Sequence, residues 1–196
     1  MRPADTWTAV DKAWIAGVLD GYDHKPGERL VVRAPAVLKV LRLRLGRRGH
    51  TNELRVDKAV EAAIASYRLP NVTCPGGPRA GAAWLAAVLD THGVLTIERR
   101  KGPVYVAIVQ VACQREALVH RVHAEAGVGQ AARLTDRWRW SAASRMARDV
   151  LERVGPYVVE KKREVAVLRR LHDARALPRA EQASARAACF EALRAT

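Results

Sequence analysis

A ten-residue pattern occurs twice in this chain, as WIAGVLDGYD at Trp14–Asp23 and as WLAAVLDTHG at Trp84–Gly93, 70 positions apart. Two near copies of one apolar helical segment indicate an internal duplication. Small side chains recur along one stripe of each copy, and such stripes let two helix backbones approach closely. They are Ala16, Gly17 and Gly21 in the first copy and Ala83, Ala86 and Ala87 in the second. The pattern therefore predicts two halves that pack on each other through this pair of helices.

The length and composition of the chain limit the size of its hydrophobic core, and its net charge indicates the charge of a binding partner. The chain has 196 residues, 49% of them hydrophobic, which is enough for one core or for two small halves around a shared core. Its formal net charge of +14 predicts a polyanionic partner, most often nucleic acid. The longest apolar runs are far shorter than the about 20 residues that a spanning helix needs, so we expect no membrane segment.

Cysteine and histidine spacing gives no sign of a metal site. Cys74, Cys113 and Cys189 are odd in number and far apart, which indicates a reducing compartment and neither a disulfide framework nor a zinc site. His120 and His123 lie one helical turn apart, but no third ligand accompanies them. We therefore expect no bound metal and no cofactor.

The chain divides into four segments. Residues 1–68 form a first half, residues 69–81 a linker rich in proline and glycine, residues 82–176 a longer second half, and residues 177–196 a C-terminal helix. In the second half the predicted order is helix, two strands, helix, two strands, helix. In the first half only one strand, Glu28–Ala34, precedes the helix Ala36–Leu45, so this half is trimmed. A further helix is predicted over Tyr157–Leu171.

The two motifs resemble the paired LAGLIDADG signature of homing endonucleases and of the RNA maturases that are similar to them. The segment Pro156–Leu168 (PYVVEKKREVAVL) is similar to the PYLxxKKxxAxL segment of that family, and it follows the same succession of strand, helix, GVG turn and Trp-bearing hairpin. The resemblance implies an α+β fold of two pseudo-symmetric αββαββα half-domains that pack through the two motif helices. Their antiparallel sheets would form a saddle over nucleic acid, in a monomer with an internal pseudo-two-fold axis.

The same resemblance places the chemistry at the helix ends, where this chain departs from the family. The penultimate motif position is normally an acid that binds Mg²⁺, but here it is Tyr22 in one copy and His92 in the other. A neutral phenol and an imidazole are poor ligands for this hard cation. We therefore expect no catalytic residues and no enzyme, with Mg²⁺ only if the endonuclease alternative holds. The residual candidates are Asp20, Asp90, Asp23 and Lys161.

Binding needs no catalytic acid, because lysine and arginine side chains neutralise phosphates directly. The nucleic-acid-binding candidates are Arg29, Arg33, Arg42, Arg44, Arg47, Arg48, Arg100, Arg133, Arg137, Arg139, Lys161 and Lys162. Trp138 and Trp140 alternate on one strand face, where they either stack on unpaired bases or pack in the core.

The leading hypothesis is a nucleic-acid-binding protein on a catalytically inactive homing-endonuclease scaffold. The shortened first half favours structured RNA, in an intron maturase-like role or in a ribonucleoprotein such as an organellar ribosome, whose proteins would be further partners. Two alternatives stay open: an active Mg²⁺-dependent endonuclease that cuts double-stranded DNA, and a DNA-binding protein that does not cleave. The resemblance favours a mitochondrion or plastid as compartment, with the cytoplasm as the other option.

Overall fold

The computed structural model describes residues 6–46, 51–71 and 73–195. These residues form an α+β structure, and its helices are α1 (Ala9–Gly21), α2 (Pro35–Leu45), α3 (Lys58–Ile64), α4 (Gly77–His92), α5 (Glu116–Ala126), α6 (Arg145–Val154), α7 (Lys162–Asp173) and α8 (Arg179–Arg194). The strands are β1 (Arg29–Val31), β2 (Glu53–Arg55), β3 (Gly93–Arg100), β4 (Val104–Cys113), β5 (Gln130–Arg133) and β6 (Trp138–Ala143). In this part of the chain no helix is long and apolar enough to cross a membrane.

The two motif helices form the centre of the molecule. Helix α1 begins with a capping box, in which Thr8 and Asp11 satisfy each other's backbone N–H groups. The helices are buried on all sides from Trp14 to Gly21 and from Trp84 to Asp90, as expected for helices with other elements around them. Helix α4 begins at Gly77, inside the predicted linker, because Pro78 is compatible with the first turn of a helix.

Helices α1 and α4 contact each other through the small residues. A Cβ atom built on Gly17 would overlap the main-chain oxygen of Trp84, and one built on Gly21 would overlap the side chain of Thr91. The backbones therefore approach as closely as glycine allows, and the C-terminal ends of the two helices lie side by side. The predicted pairing of the motif helices is confirmed.

Two antiparallel sheets of unequal size flank the helices. Strands β1 and β2, of three residues each, form the first sheet, and the second has the order β3-β4-β6-β5. The second half follows the predicted α-β-β-α-β-β-α order from α4 to α6. Within residues 6–46 and 51–71 of the first half, each strand hairpin of that order is represented by a single strand, one on each side of α2.

The second sheet has one face toward the helices and one toward solvent. Leu95, Ile97, Val109 and Val111 are buried on the helix-facing side. Register puts Trp138 and Trp140 on this same side, opposite Cys113 and Val111. Trp140 is 0% exposed and donates to the Val128 carbonyl at 2.9 Å, while Trp138 packs against His120. Trp140 therefore belongs to the core and is not available to stack on a base, whereas Trp138 is half-buried and packs against the edge of the core.

The other side of this sheet, which we call the exposed sheet face, has a polar set of side chains. By register and alternation this polar set consists of Thr96, Glu98, Arg100, Gln110, Gln130, Arg139 and Ser141. The same face also carries Val94, Val104, Val106 and Ile108, of which Val106 is buried.

The C-terminal helices close the fold on the helix side of the sheet. Helix α7 begins at Lys162 and not at Tyr157 as the sequence predicted, because the preceding residues form a turn held by Asp90. Helix α8 docks through Phe190, whose ring centroid lies 5.5 Å from that of Tyr105. This confirms the predicted C-terminal helix.

Candidate site at the ends of the central helices

A cavity of about 830 Å³, which we call the helix-end pocket, opens where α1 and α4 end. The first sheet contributes Arg29–Val31 to its wall, and the end of β4 contributes Cys113 together with the following Gln114 and Arg115. Its further lining residues are Gly21, Tyr22, Asp23, His24, Glu28, Arg33, Ala34, Asp90, Thr91, His92, Glu160 and Lys161. The fold therefore brings both motif ends, and most of the predicted chemical residues, to one cavity between the two sheets.

Asp20 lies below this pocket and holds the two halves together. Its side chain is 1% exposed. One carboxylate oxygen accepts from Arg68 Nε at 2.5 Å, and the other accepts from Trp84 Nε1 at 2.9 Å. With both oxygens bonded inside the protein, Asp20 is a structural residue and not a metal ligand.

A buried arginine extends this network into the segment before α4. Arg121 is 1% exposed, its guanidinium lies 4.2 Å from the centre of the Trp84 ring, and its Nη1 lies 3.7 Å from Asp20 Oδ2. It also donates to the Tyr67 carbonyl at 2.8 Å and contacts the Cys74 thiol at 2.9 Å. Burial, more than any neighbour, raises the pKa of that thiol to about 12, so Cys74 stays a thiol.

Asp90, the matching residue of α4, has a different structural task. Its carboxylate accepts three backbone N–H groups, from Val159 at 2.7 Å and from Glu160 and Lys161 at 3.1 Å each. Burial raises the pKa of Asp90 to about 6, although these N–H groups and the Lys161 charge act in the opposite direction. Asp90 therefore fixes the start of α7, and its carboxylate is already occupied by backbone N–H groups.

The side chain of Tyr22 also accepts hydrogen bonds from backbone N–H groups. Its phenolic oxygen accepts from the N–H groups of Arg33 and Ala34, both at 3.1 Å. These bonds join the end of α1 to the turn between β1 and α2. The residue in the family's acidic position of the first motif therefore positions the short sheet.

Arg115 occupies the end of α1 and was not among the sequence candidates. Its guanidinium donates to the carbonyl oxygen of Gly21 at 3.1 Å, to that of Asp20, and to the Asp23 carboxylate at 3.0 Å. A cation at this place compensates the carbonyl groups at the helix C-terminus. No sequence motif marks Arg115, because it comes from the turn after β4, which only the tertiary structure brings to α1.

His92, at the second motif position, lines this pocket, and its pKa lies below the ordinary value for histidine. Burial lowers its pKa, the Arg115 and Lys161 charges lower it further, and Asp23 opposes them. Its Nδ1 atom is buried and has no hydrogen-bond partner among the described residues.

This set of donors does not fit Mg²⁺. Asp20 and Asp90 are buried in internal hydrogen bonds, Tyr22 holds backbone, and the carboxylate of Asp23 is paired with Arg115. Among the described residues no cluster of three or more His, Cys, Asp or Glu side chains could hold a metal ion. A hard cation needs several free oxygen ligands, and this pocket presents a guanidinium among them instead.

The contact between Arg115 and His92 can be tested in solution. We expect Arg115→Gln to raise the pKa of His92, because the variant removes a positive charge and leaves Asp23 unpaired. An NMR titration of the His92 ring measures this. Arg29→Gln, which changes a pocket residue that does not act on His92, should leave the value as it is. Equal pKa values in the wild type and the Arg115 variant would contradict the geometry.

The predicted arginines separate into several groups. Arg100 and Arg139 lie on the exposed sheet face. Arg133 pairs in register with Trp138 and therefore lies on the helix side, and Arg137 is bonded to the neighbouring Asp136. Sequence reasoning put these residues in one cluster, and strand alternation divides it.

In the first half the structure again changes the predicted set. Arg44 is ion-paired with Asp11 and lies over the Trp14 ring at 4.9 Å, so it braces α1 and α2 and is not available to phosphate. Arg29 is exposed and bonds Glu53 at 3.0 Å. Arg55, opposite Arg29 in the sheet, is exposed and was missed.

The remaining candidates lie at different places. Arg33 and Lys161 line the helix-end pocket. Arg42 is half-buried on α2, and Lys162 is exposed at the start of α7. Arg47 and Arg48 lie outside the described residues.

Comparison with solved structures supports the fold. The homing endonuclease I-CvuI, in complex with its target in the presence of calcium, matches with a TM-score of 0.50 and 15% identity over 59% of this chain and 83% of that chain. Another I-CvuI structure, with the I-CreI target, matches with a TM-score of 0.46 and 15% identity over 50% of this chain and 68% of that one. I-SmaMI, bound to an uncleaved DNA target, matches with a TM-score of 0.47 and 11% identity over 69% of this chain and 52% of that one, so this match spans about half of I-SmaMI.

No protein-family profile matches the sequence, and no curated protein matches it. The fold is nevertheless similar to that of the LAGLIDADG homing endonucleases, as the paired motif predicted.

Proposed function

We propose that this protein binds nucleic acid, most favourably structured RNA, and does not cleave it. The observation that carries the proposal is the guanidinium of Arg115 on the end of α1, where the family's chemistry would need carboxylates free to hold a cation. Lysine and arginine side chains can bind phosphates without metal-binding carboxylates at the helix ends.

Charge and fold support the binding part. The formal net charge is +14, and the exposed sheet face carries Arg100 and Arg139 on separate strands. I-CvuI, whose fold is similar, was crystallised in complex with its target. On the exposed sheet face Arg100 lies 3.6 Å from Glu98, and the neighbouring pocket carries Arg33 and Lys161 among carboxylates, so these cations are individual phosphate contacts that we include in the proposal.

The unequal sheets support RNA over DNA. Strands of three residues are about 10 Å long, whereas those of eight and ten residues in β3 and β4 reach about 26 to 33 Å at 3.3 Å per residue. Two equal sheets could follow two successive stretches of major groove, whereas the three-residue strands of the first sheet cover a much shorter stretch. Structured RNA is read mainly through shape, phosphates and 2′-hydroxyl groups, which does not require matched sheets. An intron maturase-like role or a place in an organellar ribonucleoprotein, with its proteins as partners, is part of this proposal.

The nucleic acid that co-purifies with the protein tests the proposal directly. We expect material that ribonuclease removes and deoxyribonuclease does not, and filter binding that is tighter for structured RNA than for duplex DNA across a salt series. Incubation with Mg²⁺ and supercoiled DNA should yield no nicked product. Preference for duplex DNA would replace RNA with DNA as the partner, and Mg²⁺-dependent nicking would restore the endonuclease alternative.

A face-specific charge test examines the binding surface. Arg100→Ala with Arg139→Ala should weaken binding several-fold and reduce the salt slope by about one per lost phosphate contact. Arg99→Ala with Arg133→Ala removes the same charge from exposed residues on the helix-facing side, and should have a smaller effect. Filter binding at several salt concentrations measures both the dissociation constant and its dependence on salt. Equal losses in the two double variants would show that only net charge matters and would remove the exposed sheet face from the proposal.

A further inference from the structure

Asp23 and Arg115 form an ion pair that opens to solvent inside the helix-end pocket. The side chain of Asp23 is 64% exposed, and that of Arg115 is 25% exposed. Both residues line the pocket, and within the described part of the chain the Asp23 carboxylate bonds only Arg115. An ion pair with an exposed partner contributes little to stability, so another anion can replace this carboxylate at low cost.

Arg115 keeps its position when that carboxylate leaves, because its other bonds are to main-chain atoms. Its Nη2 donates to the carbonyl oxygens of Asp20 and Gly21, and only its Nη1 donates to Asp23. The two carbonyl bonds hold the guanidinium plane at the end of α1. A guanidinium that is already oriented loses little conformational freedom when it binds an oxygen anion.

A second cation lies near the same point of the pocket. Lys161 lines the pocket, and its ammonium group has no hydrogen bond or ion pair with any residue that the structure describes. Burial lowers the pKa of His92 most, and three charges also act on it: Arg115 and Lys161 lower it, and Asp23 raises it. Because such effects weaken with distance, these three charges lie around one ring.

We propose that a backbone phosphate of the bound nucleic acid replaces Asp23 on Arg115, with Lys161 as a second cationic contact. In the free protein the Asp23 carboxylate occupies the place of that phosphate and competes with it. Phosphate oxygens form charge-assisted hydrogen bonds to a guanidinium as carboxylate oxygens do, and a phosphate has a further oxygen for the ammonium group. This inference rests on the proposed nucleic-acid binding and assigns one contact within it.

Asp23→Asn tests the replacement, because it removes the competing charge and preserves the shape of the side chain. We expect about fivefold tighter filter binding of a structured RNA, or of duplex DNA if the wild type prefers it, which corresponds to one exposed ion pair. In an Arg115→Gln background the gain should fall to that of any removed negative charge, because the phosphate contact is then absent. Circular dichroism establishes that each variant is folded.

Glu28→Gln is the matched control for this charge change. Glu28 is exposed and lines the same pocket, and no bond joins it to Arg115 in the ranges that the structure describes. The control therefore changes the net charge equally and does not free the guanidinium. We expect a smaller gain in binding, of the same size with and without Arg115.

The outcomes separate this inference from the proposed function. A gain for Asp23→Asn that equals that of the control, or that persists undiminished without Arg115, would overturn the inference and leave nucleic-acid binding intact. In the wild type the Nε–H signal of Arg115 should shift in an NMR spectrum when RNA is added, and an unchanged signal would also overturn it. A wild-type protein that binds neither RNA nor DNA would overturn the proposed function and this inference together.

Discussion

Asp20→Ala should cost about 3–5 kcal/mol of unfolding free energy, because it leaves the buried Arg121 without its nearest carboxylate and removes the acceptor of Arg68 and Trp84. Urea unfolding followed by circular dichroism measures this loss. The effect lies in the packing of the two halves, since these partners come from the end of the first half, from α4 and from α5. A residue held in this way contributes to the fold, although its place in the motif resembles that of a catalytic acid.

Asp23→Ala is the matched control for that prediction. Its carboxylate is three residues along the same chain but 64% exposed and bonded only to Arg115 in the part of the chain described. Exposed ion pairs contribute at most about 1 kcal/mol, so this variant should remain close to wild-type stability. A loss below about 1 kcal/mol in Asp20→Ala as well would mean that the buried network is not formed.

Gly17→Ala should lose about 3 kcal/mol, even though alanine is the better helix former by about 1 kcal/mol. The added methyl group would overlap the main-chain oxygen of Trp84, and a backbone atom cannot rotate out of the way. Helices α1 and α4 would have to separate along their whole contact. Thermal unfolding monitored by circular dichroism reports the loss.

Gly102→Ala is the control variant for the test of the contact between α1 and α4. Gly102 lies in the β3–β4 turn with open space around it, so its substitution costs only the strain of its positive φ of 77°. That strain is about 1–2 kcal/mol for an alanine. Should Gly17→Ala be as stable as the wild type, the close approach of the central helices would be wrong.

Together these features describe a scaffold whose central acids now serve the fold. Asp20 ties the halves together, Asp90 holds the start of α7, and Tyr22 positions the turn after β1. Because each of these bonds is internal, restoring an acid at Tyr22 or His92 alone would not recreate an oxygen cage for Mg²⁺ while Arg115 stays in place.

The sequence by itself determined the duplicated helices, the strands of the second half and the C-terminal helix, because these depend on local periodicity and on small-residue stripes. Hydrophobic alternation predicted β3 and β4 closely, since each strand alone decides which of its residues face the core.

Only the tertiary structure decided which side chains meet at the ends of the central helices and which face of the sheet each arginine occupies. Arg115 reaches the end of α1 across more than 90 positions of sequence. Strand register places Arg139 and Arg133 on opposite faces of the sheet. The composition of the chain counts both as equal charges and cannot distinguish them. These arrangements depend on contacts between residues that are far apart in the sequence. Local sequence patterns do not encode such contacts, so they could not be predicted from the sequence.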